Sequence, residues 1–430
     1  MSHSAPGALA GVTVLDLTWV LAGPYASMVL TDLGADVIKV ERPRYGDVGR
    51  TTAPYVGEES AYFFSVNRGK QSICLDLKSE AGRELFLRLV EKADIAMENY
   101  TPGTMERLGL GYETLRARNP RIIYAATSGF GQTGPDRERH ALDVIVQGMG
   151  GIMSITGEPD GPPVRPGVSQ GDITAGLFTA IGILAALQER ERSGEGQMLD
   201  ISMLDCQIAL LENAFARYSA TGEIPKPIGT RHPVATPFQA FPTADGYIVI
   251  ALSWGVENQW ELFCAAIGKH GLIGDPRFET PGLRTKNHAA LEPILIDGLR
   301  TKTTAEWITE FDAIGLPCGP LNDIPHAAEQ PQVRAREMLV DVEHPSGVSL
   351  RIANSPLRLS RTPGAVQGPP PVLGQHTDEV LRRLLGLTDE DITKLREDGV
   401  VFGPLPSPVS KILAHEKSLE DQAAIGGEGS

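Results

Sequence analysis

Val12-Thr-Val-Leu-Asp-Leu17, Asp36-Val-Ile-Lys-Val40, Ser72-Ile-Cys-Leu75, Asp94-Ile-Ala-Met97 and Ile122-Ile-Tyr-Ala-Ala126 are five short β-rich runs, and helical patterns alternate with them. That alternation, spread over the first 130 residues, predicts βαβ units around a parallel sheet, an α/β fold. Between the third run and the fourth, Ser79 to Lys92 carries Leu85/Leu89 and Phe86/Val90 at four-residue spacing, the apolar face of a helix packed on that sheet. Open α/β sheets bind ligands outside the carboxyl ends of their strands. A site is therefore expected on the segments that follow the strands: Thr18–Pro24, Glu41–Arg44, Asp76–Lys78, Asn99–Gly103 and Thr127–Pro135.

Further along, Gly150 to Gly171 is rich in Gly and Pro and reads as a long loop leading into a helix that starts near Asp172. Ile173 to Leu187 is the longest apolar stretch; it falls short of the ~20 residues a membrane span needs, so a buried helix is expected. After a helical segment over Gln207–Ala220, five prolines between Gly222 and Pro242 break the pattern. A separate unit begins there, with a strand at Tyr247–Ala251 and helices at Asn258–Ile267, His288–Leu299 and Thr304–Ala313. From Pro331 follow a β-like patch (Val340–Ile352), a Pro-Gly linker, a last helix (Thr377–Leu385) and a polar tail.

The chain has 430 residues, enough for two or three domains and a large core. Its 39 basic and 54 acidic residues leave a formal charge of −15, and no basic run suggests a phosphate-backbone footprint, so nucleic acid is not an expected partner. Any anion must be met by local cations. Cys74, Cys206, Cys264 and Cys318 form no C-x-x-C pair, which signals neither a zinc site nor a disulfide framework. Reduced thiols, no secretory signal and no membrane span lead to the expectation of a cytoplasmic protein.

Several chemistries lack their motifs. No G-x-G-x-x-G opens a helix after the first strand, and no G-x-x-x-x-G-K-[ST] is present. The histidines show no ligand spacing, so no metal is expected. Asp172 stands out at the junction of Pro166-Gly-Val-Ser-Gln-Gly171 and an apolar helix, where unpaired N–H groups and the helix dipole favour an ionised carboxylate. Such a carboxylate can serve as an N-cap, or as a nucleophile on an electrophilic carbonyl.

From about Leu9 to Leu385 the chain resembles the class III CoA-transferases, the family of formyl-CoA transferase and crotonobetainyl-CoA:carnitine CoA-transferase. The matching segments are Val14-Leu-Asp-Leu-Thr18 with Leu21-Ala-Gly-Pro24, Leu33-Gly-Ala-Asp-Val-Ile-Lys-Val-Glu-Arg-Pro43, Asn67-Arg-Gly-Lys70, Glu98-Asn-Tyr-Thr-Pro-Gly103, Gly129-Phe-Gly-Gln-Thr-Gly-Pro135, Gly171-Asp-Ile-Thr-Ala-Gly176 and Leu373-Gly-Gln-His-Thr377. The resemblance implies Asp172 as nucleophile, passing through an aspartyl anhydride and an aspartyl-CoA thioester, with acyl-CoA as substrate and no covalently bound cofactor. It assigns CoA contacts to Arg42, Leu75, Lys78, Asn99, Tyr100, Arg107, Ser128, Gly129 and Phe130. Formyl-CoA transferase carries lysine where this chain has Ser128, and glutamine where it has Leu21.

The same resemblance implies a Rossmann-like large domain with a parallel sheet, a smaller α+β domain and an interlocked homodimer. The expected division is 1–222 for the first part of the large domain, 223–330 for the small domain, 331–405 for the return segment and 406–430 for the tail. Gly229-Thr-Arg-His-Pro233, Asp245-Gly-Tyr-Ile-Val249 and Gly161-Pro-Pro-Val-Arg-Pro-Gly167 look closest to the succinyl-CoA:glutarate branch. That implies a small dicarboxylate acceptor and succinyl-CoA as donor, with Arg165, Arg231 and His232 placed to hold a second carboxylate. A formyl-CoA:oxalate type of transfer is the nearest alternative. α-Methylacyl-CoA racemases share the fold but use a histidine–aspartate pair; Asp143 matches their aspartate, whereas Leu142 occupies the histidine position.

Overall fold

The computed structural model describes residues 7–252 and 258–414. The polar tail expected at the end of the chain falls, from residue 415 onward, outside the described residues. Two compact units form, one from Met1–Gly151, Gly167–Asn213 and Arg334–Ser430, the other from Ile152–Pro166 and Ala214–Val333.

The larger unit opens with β1 (Thr13–Asp16), α1 (Ala22–Asp32), β2 (Asp36–Glu41), β3 (Gln71–Leu75), α2 (Glu80–Val90), β4 (Ile95–Glu98), α3 (Thr104–Arg107) and β5 (Ile123–Ser128). It continues with α4 (Asp143–Gly150), α5 (Gln170–Ser193), β6 (Met198–Ser202) and α6 (Met203–Leu210). The smaller unit holds β7 (Phe238–Pro242), β8 (Tyr247–Ala251) and β9 (Cys318–Pro320), an antiparallel sheet in the order β9-β8-β7. Its helices α7 (Gln259–Ala266), α8 (His288–Leu299) and α9 (Thr304–Ala313) close a core around Phe241, Ile250, Phe263, Leu295 and Trp307. The chain then returns with the hairpin β10 (Leu339–Glu343) and β11 (Ser349–Ala353), α10 (Thr377–Leu385) and β12 (Val401–Phe402).

The main sheet runs β12-β3-β2-β1-β4-β5-β6. All its pairings are parallel except that of β12, which lies antiparallel on β3 with Val401 opposite Leu75. Successive side chains of a strand point to opposite faces, so Leu15, Ile38 and Ala96 meet Phe86 and Leu89 of α2 on one face. Val14, Val37, Ile95 and Ile123 meet α1 and Ala180 and Ile183 of α5 on the other. Because both faces are covered, the strand runs are almost continuously apolar, as parallel sheets require. Strand β6, absent from the sequence reading, adds an edge beside β5 in the register Ala125 to Leu199.

The long helix begins at Gln170, near Asp172 as expected, so the carboxylate sits within the first turn. The expectation that it is buried is corrected: Ala175, Ala180 and Ile183 face the interior, while Leu177, Phe178, Leu184 and Ile181, the last 58% exposed, face outward. The helix is long and apolar enough to cross a membrane by length and composition, but its inner face packs on the sheet of this unit.

Candidate active site

The strand order reverses between β1 and β4, which is where doubly wound sheets open a ligand crevice. A cavity of about 770 Å³ lies there, lined by the ends of β1, β2, β3 and β4 and by α3. Its volume lies within the usual range of small-molecule and cofactor pockets. Among its lining residues, Arg42, Arg44, Lys78 and Arg107 are cations with exposed side chains. Of the lining acids, Glu41 is paired with Arg50 at 2.7 Å and Asp47 with Lys39 at 2.9 Å, all four buried. The two neutralised pairs leave the four exposed cations against Asp76, so this part of an acidic chain is locally positive. Trp19, Tyr45 and Tyr100 supply aromatic wall; the Arg42 guanidinium lies 6.0 Å from the Trp19 ring and 5.8 Å from that of Tyr45.

A buried charge network underlies this floor. Asp16 accepts from Thr18 N, the Thr18 hydroxyl, Ser27 and Lys70. Burial alone would raise its pKa, yet Lys70, Lys39 and the two hydroxyls hold it at about 2. Burial, only partly offset by Asp16, brings Lys70 down to about 8. Glu41 is likewise held at about 2 against its burial by Arg50, Lys39 and Ser72. Ion pairs this deep add little net stability, but removing one partner is costly, so they fix geometry more than they stabilise.

The nucleophile candidate is positioned from a neighbouring helix. Asp143, in the first turn of α4, accepts from Gly171 N at 2.8 Å and Asp172 N at 3.4 Å, and Gln147 of the same helix holds its other oxygen at 2.7 Å. The start of α5 is thus capped by a carboxylate 28 residues earlier, while the side chain of Ser169 makes no cap bond. Glycine is required at 171, where a Cβ would come within 2.7 Å of Val146 Cγ2 and 3.1 Å of Asp143 Oδ1. Asp172 is half-buried, and its neighbour Ile173 packs on the cluster of Leu21, Met28 and Val66, as do Val20, Tyr25 and Tyr62. The Tyr62 phenol is pushed up to about 12, by burial first and then by the carboxylates of Asp172, Asp47 and Asp143. A carboxylate, a phenol and an uncharged apolar wall thus share one corner, next to a cavity with cations at its rim.

Of the residues singled out from sequence, Arg42, Leu75, Lys78, Tyr100 and Arg107 line the cavity. Arg42 Nε donates to Gly46 O, and Arg107 reaches Thr104 Oγ1 at 2.8 Å. Asn99 turns away from it: its Oδ1 accepts from Trp19 N and its Nδ2 donates to Trp19 O, both at 2.9 Å. Ser128, Gly129 and Phe130 lie at the end of β5, where Ser128 accepts from Gly131 N and the Arg139 guanidinium covers Phe130 at 5.7 Å, outside the lining of this cavity. Arg165, Arg231 and His232 belong to the smaller unit. There Arg231 contacts His288 Nδ1 at 3.1 Å, and His232 lies against Phe238 with ring centroids 4.8 Å apart. His140, the histidine nearest the racemase position, is exposed in a non-helical segment. Trp19, Tyr62 and the capping role of Asp143 were not reached from sequence; the one trace was that Trp19 falls in Thr18–Pro24, the segment after the first strand.

The sheet order and the crevice at its switch point are those of a doubly wound α/β fold with a ligand site at the carboxyl ends of its strands. The model of CoA-transferase family III matches residues 9–377, and the chain belongs to that family. It is 48% identical to acetyl-CoA:oxalate CoA-transferase of Acetobacter aceti over 335 residues, 78% of this chain and 86% of that protein. It is 39% identical to succinyl-CoA:glutarate CoA-transferase of Homo sapiens over 394 residues, 91% of this chain and 90% of the relative. Among solved structures, a CAIB/BAIF family protein from Brucella suis superposes with a TM-score of 0.79 at 39% identity, covering 88% of this chain and all of that one. The chain is accordingly a CoA-transferase with acyl-CoA as substrate.

Proposed function

We propose that the protein moves CoA from an acyl-CoA donor, succinyl-CoA in the first instance, to a small dicarboxylate, with Asp172 as the nucleophile. The observation that carries the reading is the adjacency of a cation-rimmed cavity of about 770 Å³ to the turn against which the helix of Asp172 packs. The Asp172 carboxylate attacks the thioester carbonyl and expels CoA thiolate, leaving an acyl-aspartyl anhydride. The thiolate then attacks the aspartyl carbonyl, releases the donor acid and forms an aspartyl-CoA thioester. The acceptor carboxylate displaces thiolate from it to give a second anhydride, and thiolate attack on the acceptor's carbonyl releases the new acyl-CoA and regenerates Asp172. Every step exchanges one activated acyl bond for another, so neither metal nor redox chemistry is called upon.

Arg42, Lys78 and Arg107 suit the phosphates, and Trp19, Tyr45 and Tyr100 the flat base. Ser128, Gly129 and Phe130 line the path of the pantetheine on this reading. Arg165, Arg231 and His232 would hold the acceptor's second carboxylate. Dicarboxylates are the acceptors named for both relatives, which supports that class without fixing its chain length. The outward face of α5 exposes Leu177, Phe178, Ile181 and Leu184 together, and an apolar cluster of this kind supports a homodimer. A cytoplasmic location accords with three buried free thiols.

A panel of acyl-CoA donors against free acids, read by mass spectrometry of the new thioester, tests the reading. Thioester exchange onto a dicarboxylate is expected from the wild type and none from Asp172→Ala, which still binds CoA by calorimetry. Full activity in that variant would refute Asp172 as nucleophile. Exchange of the α-proton of a 2-methylacyl-CoA in deuterated water, with no acceptor present, would instead indicate a racemase.

A further inference from the structure

Thr18, Trp19 and Val20 form the turn between β1 and α1, and their backbone is held by side chains alone at five successive polar groups. Thr18 N donates to Asp16 Oδ1, and Thr18 O accepts from Lys39 Nζ at 2.8 Å. Trp19 N and O are bracketed by the Asn99 amide, and Val20 N donates to Asp47 Oδ1 at 2.9 Å. The four pinning residues come from β1, β2, the loop after β2 and the end of β4. Asp47 is itself fixed, its Oδ1 accepting also from Gly49 N and its N donating to Glu41 Oε2.

What they hold is a strained residue. Val20 has φ +65°, in the left-handed region that a β-branched side chain disfavours. A residue stays there only when its surroundings over-determine it, and such positions concentrate where geometry matters to function. This turn also touches both halves of the site. Trp19 lines the cavity, and Val20 packs with Ile173, the neighbour of Asp172, around one apolar cluster of Leu21, Met28 and Val66. At Gly176, one turn further along α5, a Cβ would fall 2.7 Å from Ala22 O, so the backbones of α1 and α5 are in close contact.

We propose that Val20, held left-handed by Asn99 and Asp47, is a positioning residue that sets the Trp19 wall of the CoA cavity and the seat of the Asp172 helix in one rigid turn. Asn99 then acts through Trp19 rather than by touching CoA. The inference rests on the CoA-transferase reading above and goes beyond it by assigning the strained turn a share of catalysis. A shift of the turn would displace the thioester end of the ligand and the nucleophile relative to each other, and small misplacements of reacting atoms are expensive in rate.

Val20→Gly and Val20→Pro separate backbone from side chain, since both remove the isopropyl group but glycine keeps φ +65° open, whereas proline fixes φ near −65° and removes the N–H that donates to Asp47. The expected result is a kcat for Val20→Pro at least tenfold below that of Val20→Gly, with both variants folded by circular dichroism. Equal kcat in the two variants, whether high or low, would overturn the proposal, because the side chain or nothing at all would then be responsible. Should Val20→Pro not fold, Asn99→Ala serves: unpinning Trp19 is expected to raise KM for the acyl-CoA about tenfold and to lower kcat, with Asn99→Gln failing to restore either. Wild-type kcat and KM in Asn99→Ala would equally overturn it. Absence of CoA binding and of any transfer by the wild type would instead sink the underlying reading, so the two failures are distinguishable.

Discussion

Glu98 ends β4 with 4% exposure, directly under Tyr100, and offers the cleanest electrostatic test of the site's floor. Its Oε2 accepts from Tyr100 N at 2.7 Å and its Oε1 from the Tyr124 hydroxyl at 3.2 Å. Burial pushes its pKa up from 4.5 to about 7, and the two hydrogen bonds pull back only part of that rise. Because the folded-state value exceeds the unfolded one, the protonated group stabilises the fold below about pH 4.5, and this stabilisation is lost as pH rises through about 7. At 1.36 kcal/mol per pKa unit the loss is about 3 kcal/mol. Glu98→Gln keeps an acceptor for Tyr100 N and can donate to the Tyr124 oxygen, yet never ionises. Urea unfolding of variant and wild type across pH 4.5 to 8.5 isolates the term, since other groups cancel in the difference. The variant is expected to gain about 3 kcal/mol on the wild type over that range. A difference constant within about 1 kcal/mol would show that Glu98 is not desolvated as the structure has it.

Arg42→Ala and Arg107→Ala should each raise KM for acyl-CoA about tenfold, the effect of losing about 1–2 kcal/mol of charge-assisted bonding, with kcat little changed. Steady-state kinetics at two ionic strengths would show the wild type's advantage shrinking with salt. Asp143→Ala, which strips the cap from the start of α5, should cost about 1 kcal/mol of stability and lower kcat at least tenfold. Asp143→Asn should retain most of both, because the buried Gln147 Oε1 can turn to accept from the new amide. Ile181→Glu places a charge in the outward apolar face of α5 and should convert a dimer to monomer by light scattering; an unchanged mass would remove that face from the interface.

Much of the scaffold was legible because local chemistry marks it. The strand Tyr247–Ala251 and the helices His288–Leu299, Thr304–Ala313 and Thr377–Leu385 occupy the expected residues. The third of these four begins at a capping box in which Thr303 and Glu306 satisfy each other's backbone N–H groups. β6 and β12 were not legible, since Met198–Ser202 and Val401–Phe402 are short and acquire strand character only by pairing with β5 and β3. The outward face of α5 was hidden for a related reason: an all-round apolar pattern does not say which side another chain would cover. Within the site, Asp172 was found because its signal is local, an acid between glycine and an apolar run. Its cap was not, because Asp143 reaches it from another helix. The pins on Trp19 and Val20 are equally non-local, drawn from Asp16, Lys39, Asp47 and Asn99.

The main sheet has the strand order of dinucleotide-binding folds, yet the chain carries no glycine fingerprint after β1. In those folds the turn into the first helix stays bare so that a pyrophosphate can rest on the helix N-terminus. Here the same turn is filled by the chain itself: a Cβ on Gly23 would lie 2.3 Å from Thr18 Cγ2, and the pinning side chains take up the backbone of Thr18 to Val20. Positive charge must then come from elsewhere, and it does so as Arg42 and Arg44 after β2, Lys78 after β3 and Arg107 on α3. These lie toward the rim of the cavity as exposed side chains, whereas Trp19 forms part of its wall and Val20 shares an apolar cluster with Ile173 of the Asp172 helix. On the proposed reading this moves the phosphates outward by the width of a turn. The long arm of CoA then spans the gap, and the thioester at its end arrives where the acid is. An acidic chain can bind a highly charged cofactor in this way because the anion meets four local cations rather than the net charge of the protein.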